Sequence, residues 1–329
     1  MNSSSAVTKL LLLALISTTI AVQAQSEKQV AVIFDTDMGP DYDDVGAITL
    51  LHAFADKGEA ILLATIASTK YDGVGAVLSV LNTYFKRPGV PIGVPRGNAL
   101  TLRDVQHWSD TLIAKYPHSI NSNDQAMDAV ELYRKVLALQ PDNSVTIVTV
   151  GFLTNIANLL QSKPDNYSPL AGSELVNQKV TQLVSMAGKF PSGKEFNVAE
   201  DARASIYVFK NFKKPIILSG FEIGEKIKTG LPLIQNDKIK GSPVKDVFRI
   251  SIPLDPEDKE GRMSWDQSAV LVAVRGTKPY YKLECGTMTV NPDGSNGWDP
   301  KGKGHCRLVE DQPSTAVQKV INDLMMHQP

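Results

Sequence analysis

Val30-Ala31-Val32-Ile33-Phe34-Asp35-Thr36-Asp37-Met38-Gly39-Pro40-Asp41-Tyr42-Asp43-Asp44-Val45-Gly46-Ala47 is the stretch on which the fold turns. Val30–Phe34 is short, rich in β-branched residues and free of polar ones, which predicts a buried strand. From Asp43 to Ala55 apolar residues recur at Val45, Ile48, Leu51 and Phe54, the spacing of a helix. Between strand and helix five carboxylates (Asp35, Asp37, Asp41, Asp43 and Asp44) fall within ten residues. Like charges beside a buried strand repel, and each costs several kcal/mol if left unpaired, on the order of what folding itself yields. An all-oxygen cluster that gathers a hard cation is the simple remedy, and Ca²⁺ accepts such ligands in flexible geometry. Asp43 and Asp44 also open the helix, where negative charge meets the favourable end of its dipole. That effect leaves Asp35 and Asp37 unexplained.

Outward from this unit, strand-like and helix-like runs alternate. Strands are expected at Ile61–Ala67, Val145–Val150, Val180–Met186 and Lys214–Leu218, and helices at Val74–Phe85 and Ser314–Met326. Such alternation predicts an α/β fold, an open, mostly parallel sheet with helices on both faces. Ligands of such sheets bind beyond the carboxyl ends of the strands, so the residues just after each strand matter most. Tyr280–Val309 reads as a small β appendage. With no repeat and no Gly/Ser-rich linker, residues 25–329 are expected to form one domain.

The 329 residues are 43% hydrophobic and 21% charged, with 34 Lys+Arg against 35 Asp+Glu. That balance supplies a sizeable core and argues against a broad electrostatic grip on nucleic acid or anionic membrane. Lys9, the apolar run Leu10–Ile16 and Val22-Gln23-Ala24 read as a secretory signal over residues 1–24, which places the mature protein in an exported, periplasmic compartment without stable membrane insertion. Only two cysteines, Cys285 and Cys306, are present. In an oxidising compartment an even count favours a disulfide, here one that supports the appendage and takes no part in the chemistry.

Several motifs carry a resemblance. Asp35-Thr36-Asp37 with Asp43-Asp44-Val45-Gly46-Ala47 resembles the DxDxxxDDxxA signature of the inosine-uridine preferring nucleoside hydrolases. Thr149-Val150-Gly151-Phe152-Leu153-Thr154-Asn155-Ile156-Ala157 is similar to that family's TGPLTNIA segment. Met186-Ala187-Gly188 followed by Glu195-Phe196-Asn197 resembles its MGG…EFN segment, and Trp265-Asp266-Gln267-Ser268-Ala269-Val270 stands where the family has HDPLAV. The resemblance implies a calcium-dependent N-glycosyl hydrolase that cleaves ribonucleosides to free base and ribose, and it implies a homo-oligomer.

It further implies that Asp37, Asp44, Asp266 and the backbone carbonyl of Val150 hold calcium. Asp37 would be the general base, and Asp43, Glu195 and Asn197 would bind ribose. Asp35 is expected to orient the loop. Asp37 and Asp43 are six positions apart where the signature has four, so Asp41 is an alternative to Asp43. Thr69 stands where the family has a ribose-binding Asn. Trp265 replaces a His, and an indole N–H is no acid near neutral pH, so Trp265 is read as a ring that stacks on the base, purines before uridine, or as a packing residue. His107 in the segment 96–117 is a substitute acid to test.

A haloacid-dehalogenase phosphatase also begins with DxD, but Gly39 stands where it requires Thr or Val. The remaining alternative is a periplasmic calcium-dependent ribose- or nucleoside-binding protein with weak or lost catalysis.

Overall fold

The computed structural model describes residues 29–329; the signal expected over residues 1–24 lies outside them. The strands are β1 (Val30–Thr36), β2 (Ala60–Ala67), β3 (Ile92–Val94), β4 (Met127–Asp128), β5 (Val145–Thr149), β6 (Val180–Met186), β7 (Ser192–Lys194), β8 (Ile216–Ser219), β9 (Lys228–Thr229), β10 (Arg262–Met263), β11 (Tyr281–Val290), β12 (Ser295–Asp299) and β13 (His305–Glu310). Eleven of them form one sheet in the order β4-β3-β2-β1-β5-β6-β8-β13-β11-β12-β7, while β9 and β10 pair apart. From β4 to β13 every pairing is parallel. The last three strands are antiparallel.

Alternation along the strands divides the core. In β1, Val32 and Phe34 face one cluster and Ile33 the other; in β5, Val148 sits in the first cluster and Val145 and Ile147 in the second. Side chains of successive strand residues point to opposite faces, so a strand apolar throughout must be covered twice. Helices Asp43–Asp56 and Trp265–Arg275 contribute to the first cover, and Ala129–Ala138, Thr154–Gln161 and Ala202–Asn211 to the second. The chain builds β2, β3 and β4 on one side of β1 and then returns to lay β5, β6 and β8 on the other. The crevice between β1 and β5 is therefore the switch point, where ligands of open α/β sheets bind.

The expected β appendage near the C-terminus is present as antiparallel strands, and β13 joins it to the main sheet by pairing in parallel with β8. Cys285 and Cys306 lie opposite each other in β11 and β13, and their sulfurs are bonded. The segment 96–117 holds a helix, Trp108–Lys115, anchored by a fully buried Trp108. No helix among the described residues is long and apolar enough to cross a membrane.

His52, on the inner side of helix Asp43–Asp56, is fully buried, stacked on Phe85 at 4.6 Å and 3.2 Å from Asn82 Oδ1 through Nε2. Burial, aided by Arg87, holds its pKa down to about 3. Below pH 6.5 the unfolded chain takes up a proton that the native imidazole refuses, so stability is lost as pH falls from 6.5 toward 3. We expect chemical denaturation between pH 6.5 and 4.5 to give a slope shallower in His52→Gln than in the parent, the difference growing toward about 1.4 kcal/mol per pH unit at the acid end.

Candidate active site

The end of β1 is sewn to the loops after β5 and β2 by backbone: Val150 N–H donates to Asp35 O at 2.8 Å, and Ser68 N–H to Thr36 O at 2.8 Å. Gly151 is required here, because a Cβ at that position would overlap Asp37 and Ser68. Beneath the crevice, Asp35 accepts from Tyr133 Oη at 2.8 Å and Asn155 Nδ2 at 3.1 Å. It is fully buried, and burial pushes its pKa up to about 7. Asp35 thus braces the loop from below and does not line the cavity above.

That cavity measures about 370 Å³ and is walled by Asp37, Asp41, Asp43, Val150, Glu195, Asn197, Trp265 and Asp266, together with Phe196, Phe221, Lys194 and Arg262. A larger groove of about 750 Å³ runs between helices Thr154–Gln161 and Ala202–Asn211, but its bases Arg203 and Lys210 are ordinary exposed surface groups, and its acid Asp201 is engaged by Thr154 Oγ1 and the N–H of Ala204. We place the chemistry in the smaller cavity, where the buried acids converge.

Asp37, Asp43, Asp44 and Asp266 are all at least 96% covered, being 4%, 1%, 1% and 4% exposed. Burial, and after it the charges of their carboxylate neighbours, pushes all four upward. Asp44 reaches about 7. One of its oxygens accepts from Thr36 Oγ1, while the other, Oδ2, is buried with no hydrogen-bond partner. The donors around this orphan oxygen are all oxygens, a set that fits a hard cation. Among the described residues, no three acids, histidines or cysteines converge closely enough to hold a metal as they stand.

Asp43 is tied down differently. Its Oδ1 accepts from Arg262 Nε at 3.1 Å and Nη2 at 2.9 Å, and its Oδ2 from the backbone N–H of Trp265 at 3.1 Å and Asp266 at 3.2 Å. An acid at the start of one helix therefore caps the start of another, Trp265–Arg275, where four N–H groups lack partners. The two helices approach closely because Gly46 leaves room for Gln267. Arg262 also pairs with Asp41, stands 3.7 Å from Asp258, and lies over the rings of Tyr42 and Trp265.

Opposite this cluster, Glu195 accepts from the N–H groups of Asn197 (2.7 Å), Gly188 (3.1 Å) and Val198 (3.1 Å). Burial pushes it up to about 7. Asn197 Nδ2 donates to Val150 O at 3.0 Å. A carbonyl oxygen has two lone pairs, so one of Val150 remains free.

A family model described as Inosine-uridine preferring nucleoside hydrolase matches residues 32–316. The chain belongs to this family. Members are N-glycosyl hydrolases, and the chain is an enzyme of that class. The pyrimidine-specific ribonucleoside hydrolase RihA of Salmonella agona (strain SL483) is 27% identical over 226 residues, covering 66% of this chain and 68% of its own. In fold, the plant nucleoside hydrolase PpNRh1 matches with a TM-score of 0.70 at 19% identity, over 91% of this chain and 99% of its own. A purine-preferring ribonucleoside hydrolase from Gardnerella vaginalis matches with a TM-score of 0.70 at 18% identity, over 90% of this chain and 99% of its own.

Within this nucleoside hydrolase the motif residues are unequally placed. Asp37, Asp43, Val150, Glu195, Asn197, Trp265 and Asp266 share the cavity wall, with Asp44 behind them. Thr69 is not among the wall residues: its hydroxyl is 3.2 Å from Leu100 O and 2.9 Å from Leu102 O, where it fastens the following loop. His107 lies outside the cavity, exposed and 3.1 Å from Asp110. The indole N–H of Trp265 donates to Phe221 O at 2.8 Å, and the backbone of Gly224 presses on the ring. Trp265 is a fixed wall, and the most exposed aromatic residue lining the cavity is Phe196, 43% exposed. Sequence reasoning passed over Phe196, although it sits inside a quoted motif, and over Arg262, whose only signal was the excess of acids it offsets.

Arg262 is the cation on which Asp43 depends. Removing one partner of a buried ion pair destabilises by about 3–5 kcal/mol because the other charge stays behind. Arg262→Met should therefore lower urea-unfolding stability by about that amount, with turnover falling at least about tenfold as the capped helix start shifts.

Proposed function

We propose that this nucleoside hydrolase is calcium-dependent and cleaves the N-glycosidic bond of ribonucleosides with Asp37 as general base. The observation that carries the reading is the cluster of buried carboxylates at the switch point, with Asp44 Oδ2 left without a partner. Asp37, Asp44, Asp266 and the Val150 carbonyl would hold the ion. Calcium, when bound, supplies a positive charge that acidifies and orients a water molecule.

The remaining work falls to the chain. Asp37 takes the proton of the attacking water, a role that requires its ionised form. As the glycosidic bond breaks, its electron pair leaves with the base, which takes a proton from solvent, and the ribosyl ring gains positive charge that the surrounding carboxylates stabilise. A single displacement by water inverts the anomeric centre. Glu195 and Asn197 offer an acceptor and an amide to the sugar, and Asp43, its oxygens engaged by Arg262 and two backbone amides, shapes that wall. With Trp265 fixed by its own hydrogen bond, base contact falls to Phe196, whose open ring favours the larger purine face. We place the mature protein in an exported compartment, a reading supported by residues 1–24 and by the Cys285–Cys306 bond.

A release assay on a panel of nucleosides, with and without chelator, tests the proposal. Metal analysis should find about one calcium per chain, and chelation should abolish turnover that calcium restores. Zinc alone, or saturable nucleoside binding without turnover, would point to another site or to a binding protein. Asp37→Ala and Asp266→Ala should abolish turnover, while Asp41→Ala should retain most of it.

Phe196→Ala should cost about 1–3 kcal/mol in kcat/KM on purine ribosides, the range for one base stacked on an aromatic ring. Trp265→Phe should cost less. Equal activity of Phe196→Ala and parent would remove that ring from base recognition.

A further inference from the structure

The chain from β11 to β13 plays no part in the chemistry above, yet it reaches the cavity. β13 lies beside β8, β11 is bonded to it through Cys285–Cys306, and β12 follows. The free edge of β12 then pairs with β7: Ser295 opposite Lys194, Asn296 opposite Gly193, Gly297 opposite Ser192. The residue after β7 is Glu195.

Three contacts hold the segment Gly188–Ala199 from this side. Asn296 is 3% exposed; its Oδ1 accepts from Lys189 N–H at 2.9 Å and its Nδ2 donates to Lys189 O at 2.9 Å. One side-chain amide thus satisfies both backbone groups of one residue. Trp298 packs edge-on against Phe190 at 5.3 Å. At Gly294 an added Cβ would lie 2.6 Å from Ala199 Cα, so the turn of the hairpin rests on helix Phe196–Glu200. The segment so held closes on itself through Glu195, which binds the N–H groups of Gly188, Asn197 and Val198. Where Gly188 and Lys189 sit decides where the carboxylate of Glu195 sits.

We propose that Asn296 is a positioning residue for the hydrolase reaction, fixing Lys189 and through it the Glu195–Asn197 wall. The proposal rests on the reading in which that wall faces ribose. An amide bonded to both groups of one peptide residue resists translation and rotation alike, whereas the three residue pairs of β7 alone leave the loop hinged. A displacement of about 1 Å at a reacting centre is enough to cost about 100-fold in rate.

Asn296→Ala removes both bonds, and Asn296→Asp retains the acceptor for Lys189 N–H while losing the donor. Hydrogen exchange of the holoprotein should be at least about tenfold faster across Gly188–Val198 in the Ala variant, with Val32–Phe34 and Ile147–Val148 unchanged. In the same preparation kcat/KM on the best nucleoside should fall about 10–100-fold, and at least as far in Asn296→Asp, which sets a buried carboxylate oxygen against Lys189 O. Combined with Glu195→Gln, the Ala variant should add little further loss, because both act on one wall. Unchanged exchange, faster exchange with full kcat/KM, or additive losses would each overturn the proposal. Should Asn296→Ala fail to fold, Asn296→Ser, small and neutral, carries the same comparison. A parent that hydrolyses no nucleoside would sink the ribose reading, and the exchange result alone would then decide the clamp.

Discussion

Repulsion among carboxylates buried at the end of β1 is the constraint around which the remainder of the molecule is arranged. Asp37, Asp43, Asp44 and Asp266 are taken out of water together, and burial, with the charge of neighbouring carboxylates, pushes all four upward. One part of that charge is met inside the protein. Arg262 neutralises Asp43 and reaches Asp41, and the backbone amides of Trp265 and Asp266 add two more donors. The other part, on Asp37, Asp44 and Asp266, has no basic partner among the described residues. That imbalance is what the proposed cation rests on.

The scaffold explains how so much like charge can be held in place. β1 and β5 are central and apolar on both faces, so the crevice between their carboxyl ends is backed by two hydrophobic cores. Displacing a loop there means disturbing dense packing on both sides, which costs more than the repulsion relieves. Gly151 and Gly46 allow the close approaches this requires, the first of the β5 loop onto Asp37 and the second of one helix onto another. Capping by Asp43 then converts a charge problem into a helix start and brings Asp266 beside Asp44.

The antiparallel strands add the third wall. They enter the sheet beside β8 and run outward until β12 meets β7. The loop that carries Glu195 thus borrows its rigidity from a hairpin about a hundred residues further along the chain. The disulfide bond ties that hairpin back to the parallel sheet, so its influence extends to the cavity wall instead of ending at the sheet edge.

Much of this was legible in the sequence. Period and composition of Val30–Phe34, Val145–Val150 and Val180–Met186 mark the central strands, because a strand covered on both faces must be apolar throughout. The run Asp35–Asp44 announces a polar centre at a strand end, and the family motifs name the residues that share the cavity. Other features depended on pairing across long sequence distance, which no local pattern encodes. Arg262 lies 219 residues from Asp43, and nothing near either reveals the partner. Thr69 stands at a motif position, yet its hydroxyl is engaged by Leu100 and Leu102; Trp265 is polar-tipped in sequence, yet its N–H is taken by Phe221. Composition and spacing determine which groups are present and which elements bear them. Only the packed structure decides which hydrogen-bonding capacity is already spent, because each donor and acceptor is satisfied by whatever neighbour the fold brings within about 3 Å.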